Sequence, residues 1–400
     1  MQNNIQSIGA IHDCTGCSMC MAVCPHSAIA VTLNQEGFYT PTVNEDECIN
    51  CGVCKKVCYK FDAEINSNVE NNVECLSAIN RNETELEMAS SGAVSIELMR
   101  QCLKLDFKVV GVAYNKASNM AFSEIVDTAE KLELFRGAKY FQSDTTKAFC
   151  EIANDKSEQK YAIFGTPCQI YAFSRLAEIR GKDRYLFIDI FCHGCPSIHL
   201  WKKYLEYSKT KFCVNDFDKI SFRSKTHGWH EFCFTFTQSN TQFNSSKYSD
   251  PFYELFFDMN ALNKACYDCI PRSSVNATDI RIGDFWGWQY DHNTDGVSAV
   301  VLCSEKGKAL FRGVRDKFEC KPHSFSEVIA AQSYGKIHSF NEAVRSETLA
   351  LLSSKKELRN IIAACRKRNP IKVRVKRLLK IVLKHLPVKI YSSLRQQSHK

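Results

Sequence analysis

Short apolar runs alternate with helical patterns through the middle of the chain, from about residue 89 to residue 365. The runs at 109–113, 161–164 and 186–191 have the length and composition of buried strands. Between them apolar residues recur at helical spacing: Ala93, Ile96, Met99 and Leu103, and then Ile170, Phe173, Leu176 and Ala177. Ser197 opens a further predicted helix. Strand–turn–helix units in series predict a parallel, α/β-type sheet, in which ligands gather at the carboxyl ends of the strands.

Composition divides the chain into four regions. Residues 1–61 are rich in cysteine, residues 62–88 are acidic and rich in asparagine, and residues 366–400 are basic. We interpret 62–88 as a linker between the cysteine-rich region and the α/β region at 89–365.

The net charge of +8 comes from one segment of the chain. The segment 366–400 holds 12 Lys and Arg and no Asp or Glu, which leaves 40 basic against 44 acidic residues elsewhere. A mildly acidic body argues against binding of nucleic acid. The chain has no export signal and no apolar run long enough for a membrane-spanning helix, so we expect a cytoplasmic protein.

Cysteine is the outlier of the composition. Eight of the 21 cysteines lie between Cys14 and Cys58. Disulfides rarely persist in a reducing compartment, so clustered thiols there indicate metal or redox chemistry.

Two cysteine motifs carry the strongest signal. Residues 14–25 follow the pattern C-x2-C-x2-C-x3-C-P, and residues 48–58 follow the same pattern without the proline, which is replaced by Tyr59. This is the arrangement of two-cluster bacterial ferredoxins, in which the fourth cysteine of each motif ligates the other cluster. A zinc site fits poorly, because zinc usually takes C-x2-C pairs.

The pattern therefore predicts two [4Fe–4S] clusters. The ligands of the first are Cys14, Cys17, Cys20 and Cys58, and those of the second are Cys48, Cys51, Cys54 and Cys24.

A second, dispersed set of cysteines lies at predicted turns. Its members are Cys168 in Gly-Thr-Pro-Cys-Gln, Cys192 in Phe-Cys-His-Gly, and the pair Cys266 and Cys269. Cys168 and Cys192 each precede a predicted helix, whose dipole would lower the pKa of the thiol. Spacing alone leaves two interpretations open: a third [4Fe–4S] cluster on these four residues, or a zinc site built from Cys192, Cys195, Cys266 and Cys269.

These motifs together resemble the coenzyme F420 hydrogenase/dehydrogenase beta-subunit family, in the ferredoxin-fused form found in bacterial surface-polysaccharide gene clusters. The resemblance rests on the two ferredoxin motifs and on further stretches between residues 90 and 287. These stretches are Ser90-Ser91-Gly92-Ala93, Arg136 to Asp144, Gly165 to Gln169, Cys192-His-Gly, Phe222 to Lys225 with Gly228-Trp229, Cys266-x-x-Cys269, and Asp279 to Gly287.

The resemblance implies FAD beside a third [4Fe–4S] cluster, with Cys168, Cys192, Cys266 and Cys269 as its ligands. Cys195 departs from the family, which usually has an aliphatic residue there, so a zinc site or an exchange of ligands stays open. The implied fold class is α+β/α/β: an N-terminal ferredoxin-like domain, then a larger mixed α/β flavin-binding domain.

Flavin suits this setting, since it exchanges two electrons with hydride donors and single electrons with clusters. No G-x-G-x-x-G motif occurs, so a Rossmann-type FAD site is not expected. The candidate flavin contacts are the predicted helix start at Ser90, Ser91 and Gly92, followed by Lys139, Gln142 and Ser143. The candidate substrate contacts are Arg223, Lys225, Trp229 and Asp284. Each could equally have a structural role, as a helix cap, a surface charge, a core residue or a turn.

The tail from Val373 to Leu386 places leucines and valines on one helical face and Lys and Arg on the other. Such a helix can lie on the inner face of an anionic membrane, or pack against the body or a partner.

We therefore expect an iron–sulfur flavoprotein oxidoreductase that passes electrons between a hydride-type or small organic substrate and its clusters. The alternative is an electron-transfer subunit without a substrate site, which relays electrons to a partner enzyme. F420 and polysaccharide biosynthesis are implied by resemblance alone.

Overall fold

The computed structural model describes residues 3–8, 13–62 and 73–368, which contain three β-sheets. The strands are β1 (Ile29–Leu33), β2 (Tyr39–Val43), β3 (Glu74–Asn80), β4 (Phe107–Asn115), β5 (Met120–Val126), β6 (Lys160–Gly165), β7 (Tyr185–Ile190), β8 (Lys219–Ser224), β9 (Cys233–Gln238), β10 (Thr241–Ser246), β11 (Ile280–Asp284), β12 (Ser298–Leu302) and β13 (Phe318–His323). The α-helices are α1 (Met19–Ala22), α2 (Val53–Lys56), α3 (Glu83–Met88), α4 (Val94–Lys104), α5 (Thr146–Asn154), α6 (Pro167–Arg180), α7 (Ile198–Phe212), α8 (Pro251–Phe257), α9 (Glu305–Arg312), α10 (Phe325–Ile329), α11 (Glu342–Ser353) and α12 (Leu358–Arg368).

The largest sheet has eight strands in the order β13-β3-β12-β11-β7-β6-β4-β5. The four central strands β11, β7, β6 and β4 run parallel, whereas the pairings on both flanks are antiparallel. The predicted parallel sheet is therefore confirmed at the centre, and the flanks make the sheet mixed. The smaller sheets are the hairpin β1-β2 and the antiparallel sheet β10-β9-β8.

Local sequence explains where the helices beside the central strands begin. Thr166 caps α6 in a capping box, since its backbone N–H donates to Gln169 Oε1 at 2.9 Å while its hydroxyl accepts from the Gln169 backbone. Pro167 occupies the first turn, where a missing N–H costs nothing. Ser197 caps α7 as predicted, and its hydroxyl accepts from His199 N. These caps fix Cys168 at the start of α6.

The predicted linker at 62–88 is wrong for its described part, residues 73–88. Strand β3 pairs with both β12 and β13 inside the large sheet, and Leu76 and Ala78 are fully buried. Helix α3 follows directly, capped by Asn82. The strand escaped the sequence analysis because its partners lie more than 200 residues away, while its neighbours in sequence are polar.

Two predicted boundaries also shift. Helix α4 begins at Val94, after Ala93 in a left-handed conformation, and not at Ser90-Ser91-Gly92. The basic tail was predicted from residue 366, but α12 continues to Arg368, and Arg366 forms an ion pair with Glu254 at 2.8 Å. The predicted amphipathic tail helix lies outside the described residues.

The cysteine-rich part packs against the α/β part through a shared apolar core. Met19 and Val57 from the first part are buried in one cluster with Phe149 of α5 and Phe173 of α6. This packing brings one side of the cysteine-rich part to the start of α6.

Candidate redox site

The two ferredoxin motifs share one backbone shape. In the first motif, Gly16 and Ser18 adopt left-handed conformations with φ of 67° and 63°. The equivalent residues of the second, Asn50 and Gly52, have φ of 55° and 73°. The alternation wraps each loop so that its first three thiols lie around one space, as a cubane requires.

The structure brings the thiols together in the predicted interleaved sets. Burial raises the pKa of Cys14 to about 12, and the charges of Cys17 and Cys58 add to the rise. Burial also raises the pKa of Cys54, where the charges of Cys24 and Cys51 add to the rise. Cys58 therefore lies near thiols of the first motif, and Cys24 lines one small cavity together with Cys48, Cys51 and Cys54 of the second motif.

Hydrogen-bond donors already point at these sulfurs. The Gly16 backbone N–H lies 3.2 Å from Cys14 Sγ, and the Asn4 side-chain amide lies 3.6 Å from Cys48 Sγ. Such N–H···S contacts are characteristic of iron–sulfur sites, where they tune the reduction potential. The backbone shape of the loops, the cysteine thiols and the N–H groups beside them all fit two [4Fe–4S] clusters.

The dispersed cysteines also come together. Cys168 lies at the start of α6, Cys192 follows β7, and Cys266 and Cys269 lie on a loop before β11. That loop is tied to the Cys192 segment, because Pro196 and Leu262 form an antiparallel bridge. The set therefore lies at the carboxyl ends of parallel strands, where ligands are expected.

Burial dominates the electrostatics of this dispersed set. It raises the pKa of Cys168 well above its usual value, and the charges of Cys269 and Cys192 add to the rise. It raises the pKa of Cys192 to about 11, and the charge of Cys269 is again the largest contribution after burial. Burial therefore outweighs the lowering of the thiol pKa that was predicted from the helix dipoles. Metal coordination would have to keep these thiols deprotonated.

Cys195 lies beside the dispersed set. Burial raises its pKa, and the charge of Cys192 adds to the rise. For Cys266, the charge of Cys195 is the largest contribution to the raised pKa after burial, ahead of Cys269 and Cys192. Among the described residues, no three His, Cys, Asp or Glu side chains converge closely enough to hold a single metal ion.

The first ferredoxin set and the dispersed set are neighbours. Asn263 is buried, and its side-chain Nδ2 donates to the Cys14 backbone carbonyl at 3.0 Å. The backbone carbonyl of Asn263 accepts from the Cys266 backbone N–H at 2.9 Å. Thr145 donates from its hydroxyl to the Cys17 carbonyl at 3.0 Å. One polar side chain thus links a ligand loop of each set.

A cavity of about 1750 Å³ opens beside the dispersed set. Its wall includes the four cysteines of the dispersed set, Cys195, and most of the residues predicted for flavin and substrate. Typical ligand pockets have volumes of roughly 300–1,000 Å³, so the cavity has room for a dinucleotide together with a second molecule.

The predicted flavin contacts divide into two groups. Ser90, Ser91, Lys139 and Ser143 line the cavity. Gly92 is instead packed inside the protein, since a Cβ there would lie 2.0 Å from the Ala78 carbonyl oxygen.

Gln142 also lines the cavity, but its amide has other partners. Its Nε2 donates to the Thr15 carbonyl at 2.7 Å, and its Oε1 accepts from Tyr39 N at 2.9 Å. Gln142 therefore holds the ferredoxin part in place, which the motif alone did not indicate.

Three of the four predicted substrate contacts form one buried network. Arg223 donates to both carboxylate oxygens of Asp284, at 2.9 and 3.0 Å, and Trp229 Nε1 donates to the same carboxylate at 2.7 Å. Arg223 stacks 3.9 Å above the Phe232 ring and also contacts the Tyr140 hydroxyl. All three line the cavity, so the predicted residues come together as its wall.

Lys225 lies apart from this network. Its ammonium donates to the carbonyls of Leu86, Ser91 and Asp295, and burial lowers its pKa to about 8. It braces the Ser90-Ser91 segment and is absent from the described cavity wall.

Sequence reasoning missed His193, which follows Cys192 on the cavity wall. Its Nδ1 lies 3.0 Å from the Ser333 hydroxyl, while its Nε2 is buried without a partner among the described residues. The Cys-His-Gly motif contained the residue, but nothing in the sequence showed that its ring faces a cavity.

The fold and the ferredoxin motifs define an iron–sulfur electron-transfer protein of the oxidoreductase class. Residues 158–326 match the family described as the C-terminal region of the coenzyme F420 hydrogenase/dehydrogenase beta subunit, and residues 13–61 match the 4Fe-4S dicluster domain. The dicluster domain precedes the region that matches the beta-subunit family, and the two matches agree with the family resemblance drawn from the motifs.

A chain of the F420-reducing [NiFe] hydrogenase complex from Methanosarcina barkeri, solved after xenon derivatization, is 19% identical. The match covers 74% of this chain and 91% of that chain, with a TM-score of 0.46. No curated protein matches the chain. No helix in the described ranges has the length and hydrophobicity needed to cross a bilayer.

Proposed function

We propose that this chain is an iron–sulfur flavoprotein oxidoreductase with three [4Fe–4S] clusters and one FAD. The observation that carries the proposal is the position of the dispersed cysteines, which line the large cavity on one side and adjoin the first ferredoxin set on the other. A redox centre at that position would connect a molecule in the cavity to the ferredoxin part.

Cys168, Cys192, Cys266 and Cys269 would hold the third cluster. Cys168 is the best supported of them, because the capping box and Pro167 fix its backbone at the carboxyl end of β6. The Thr166 hydroxyl lies 3.2 Å from Cys168 Sγ and would orient that thiolate. Cys195 stays a neighbour outside the ligand set.

The cavity wall fits a flavin on two observations. Arg223 Nε and His193 Nε2 are buried and lack partners among the described residues, which is what a wall made for a polar ligand would show. Ser90, Ser91 and Lys139 offer further donors to phosphate or ring oxygens. A bound flavin would supply the exchange between two-electron and one-electron chemistry.

The residues of the chain have separable tasks in this proposal. Trp229 and Phe232 exclude water from the wall, and the Arg223–Asp284 pair sets the shape and polarity of the cavity beside them. The volume left over admits a hydride-type or small organic substrate, with an F420-like deazaflavin as the candidate suggested by the family.

The second ferredoxin set would exchange electrons with a redox partner. Cys51 is its exposed thiol, and the neighbouring Ile49 is 60% exposed. An apolar residue beside an exposed ligand suits a transient contact with another protein.

The test is anaerobic purification followed by iron, sulfide, zinc and flavin analysis. We expect about twelve iron, no zinc and one FAD per chain. Cys168→Ser should lose about four iron, whereas Cys213→Ser, at an exposed thiol outside all three sets, should lose none.

Two outcomes would contradict the proposal. About eight iron together with zinc would assign the dispersed set to zinc. Intact clusters without flavin, and no bleaching by a reduced deazaflavin or nicotinamide, would favour the electron-relay subunit.

A further inference from the structure

Tyr59 occupies the contact between the first ferredoxin set and the dispersed cysteines. It follows Cys58 in the chain and is 5% exposed. Its ring packs edge-on against Tyr171, with ring centroids 6.2 Å apart, and Ile270 packs against the same pair. Ile270 directly follows Cys269, so the ring lies against the cysteine loop of the α/β part.

The hydroxyl of Tyr59 is the unexplained feature. It is buried and has no hydrogen-bond partner among the described residues. The adjacent Tyr171 has a similar environment, but its hydroxyl donates to Asp62. A buried phenol normally finds a partner, so the missing partner of Tyr59 indicates a group that binds there.

The neighbours of the Tyr59 ring show which group lies within reach. Tyr171 lies on α6 about one turn after Cys168, and Ile270 directly follows Cys269. The ring of this ferredoxin residue is therefore packed between two segments that carry thiols of the dispersed set.

The difference between the two ferredoxin motifs falls at this residue. The first motif has Pro25 after its fourth cysteine, and Pro25 is exposed. Proline has no side-chain donor, whereas Tyr59 brings one to the buried equivalent position. The two motifs therefore share their cysteine spacing but differ at this position, where Tyr59 is packed against the α/β part.

We infer that the Tyr59 hydroxyl donates a hydrogen bond to a sulfur of the third cluster and raises the reduction potential of that cluster. A hydrogen bond to sulfur stabilises the reduced cluster more than the oxidised one, because the reduced cluster carries more negative charge. Tyr59 is then a positioning residue that sets how readily electrons leave the cavity. The inference rests on the proposed third cluster.

The experiment is a potentiometric titration of the holoprotein followed by electron paramagnetic resonance, comparing wild type with Tyr59→Phe. The signal that disappears in Cys168→Ser identifies the third cluster. We expect Tyr59→Phe to lower the ratio of reduced to oxidised third cluster about tenfold at fixed potential, which is a shift of about −59 mV. Tyr171→Phe is the matched control, because it removes a buried phenol from the same contact, and its ratio should stay unchanged.

A second measurement needs no variant. Wild-type protein reconstituted in D2O should show an exchangeable deuteron coupled to the reduced third cluster in pulsed spectra. An unshifted potential in Tyr59→Phe, or no coupled deuteron, overturns the inference and leaves the proposed function intact. Absence of any signal that depends on Cys168 overturns both.

Discussion

The ion pair between Asp189 and Arg281 offers a sharp test of how the cysteine loop is held. Both residues are buried, with side chains 2% and 1% exposed, on the paired strands β7 and β11. The guanidinium contacts the carboxylate at 2.8 and 2.6 Å. It also donates to the carbonyls of Arg272 and Ser274, at 3.0 and 2.8 Å. The pair therefore connects the sheet to the loop that follows Cys269.

Asp189→Asn should lower the free energy of unfolding by about 3–5 kcal/mol, because it leaves a buried guanidinium without its counter-charge. The double change Asp189→Leu with Arg281→Met removes both charges and should cost less, about 2 kcal/mol, since the two loop carbonyls lose their donors at about 1 kcal/mol each. The double variant should nevertheless lose iron from the proposed third cluster, because the loop is no longer anchored.

Anaerobic urea denaturation followed by tryptophan fluorescence measures the stability, and iron analysis measures the site. Asp127→Asn is the control, since Asp127 pairs with Lys131 on the surface and both side chains are 55% exposed. If Asp189→Asn denatured at the same urea concentration as the control, the argument for a stabilising buried pair would fail. A double variant as unstable as the single one would show that loop anchoring dominates.

Three further predictions concern the ferredoxin part and the cavity. Gln142→Ala should cost about 2 kcal/mol in docking, through its lost bonds to Thr15 and Tyr39, and limited proteolysis should then release the ferredoxin part faster. Gly16→Ala should lose about four iron, measured by iron analysis, because a Cβ would lie 2.2 Å from Gln142 Nε2 at a left-handed φ. Burial lowers the pKa of Lys139 to about 7, so the unfolded chain binds the extra proton above that pH. The contribution of Lys139 to stability should therefore rise as pH increases from about 7 toward 10, and the difference between wild type and Lys139→Met in denaturation series across pH should show that rise.

Features encoded by neighbouring residues could be predicted from the sequence. The ferredoxin loops, the helix that begins beside Cys168 and the helix start at Ser197 each depend on a few adjacent residues. The apolar runs likewise became β4, β6 and β7. In each case the sequence pattern and the structural element that it predicts occupy the same short segment.

Features fixed by distant partners could not be predicted in this way. Strand β3 was mistaken for a linker because its pairing partners are β12 and β13. Gln142 was assigned to flavin, although its amide binds the ferredoxin part, and Lys225 was assigned to substrate, although it holds backbone carbonyls. A motif shows that a polar residue matters, but its contacts depend on the tertiary fold.

Contacts between residues that are distant in sequence also anchor the ferredoxin part. Asn263 and Thr145 donate to the carbonyls of Cys14 and Cys17, which are themselves predicted ligands. Apolar packing around Met19 is not directional, so it gives little control over orientation. Hydrogen bonds to ligand residues fix orientation, and redox sites need their supporting residues placed to within about 0.5 Å. Each bond contributes only about 1 kcal/mol, so loss of one should alter the spacing between clusters before it disturbs the fold.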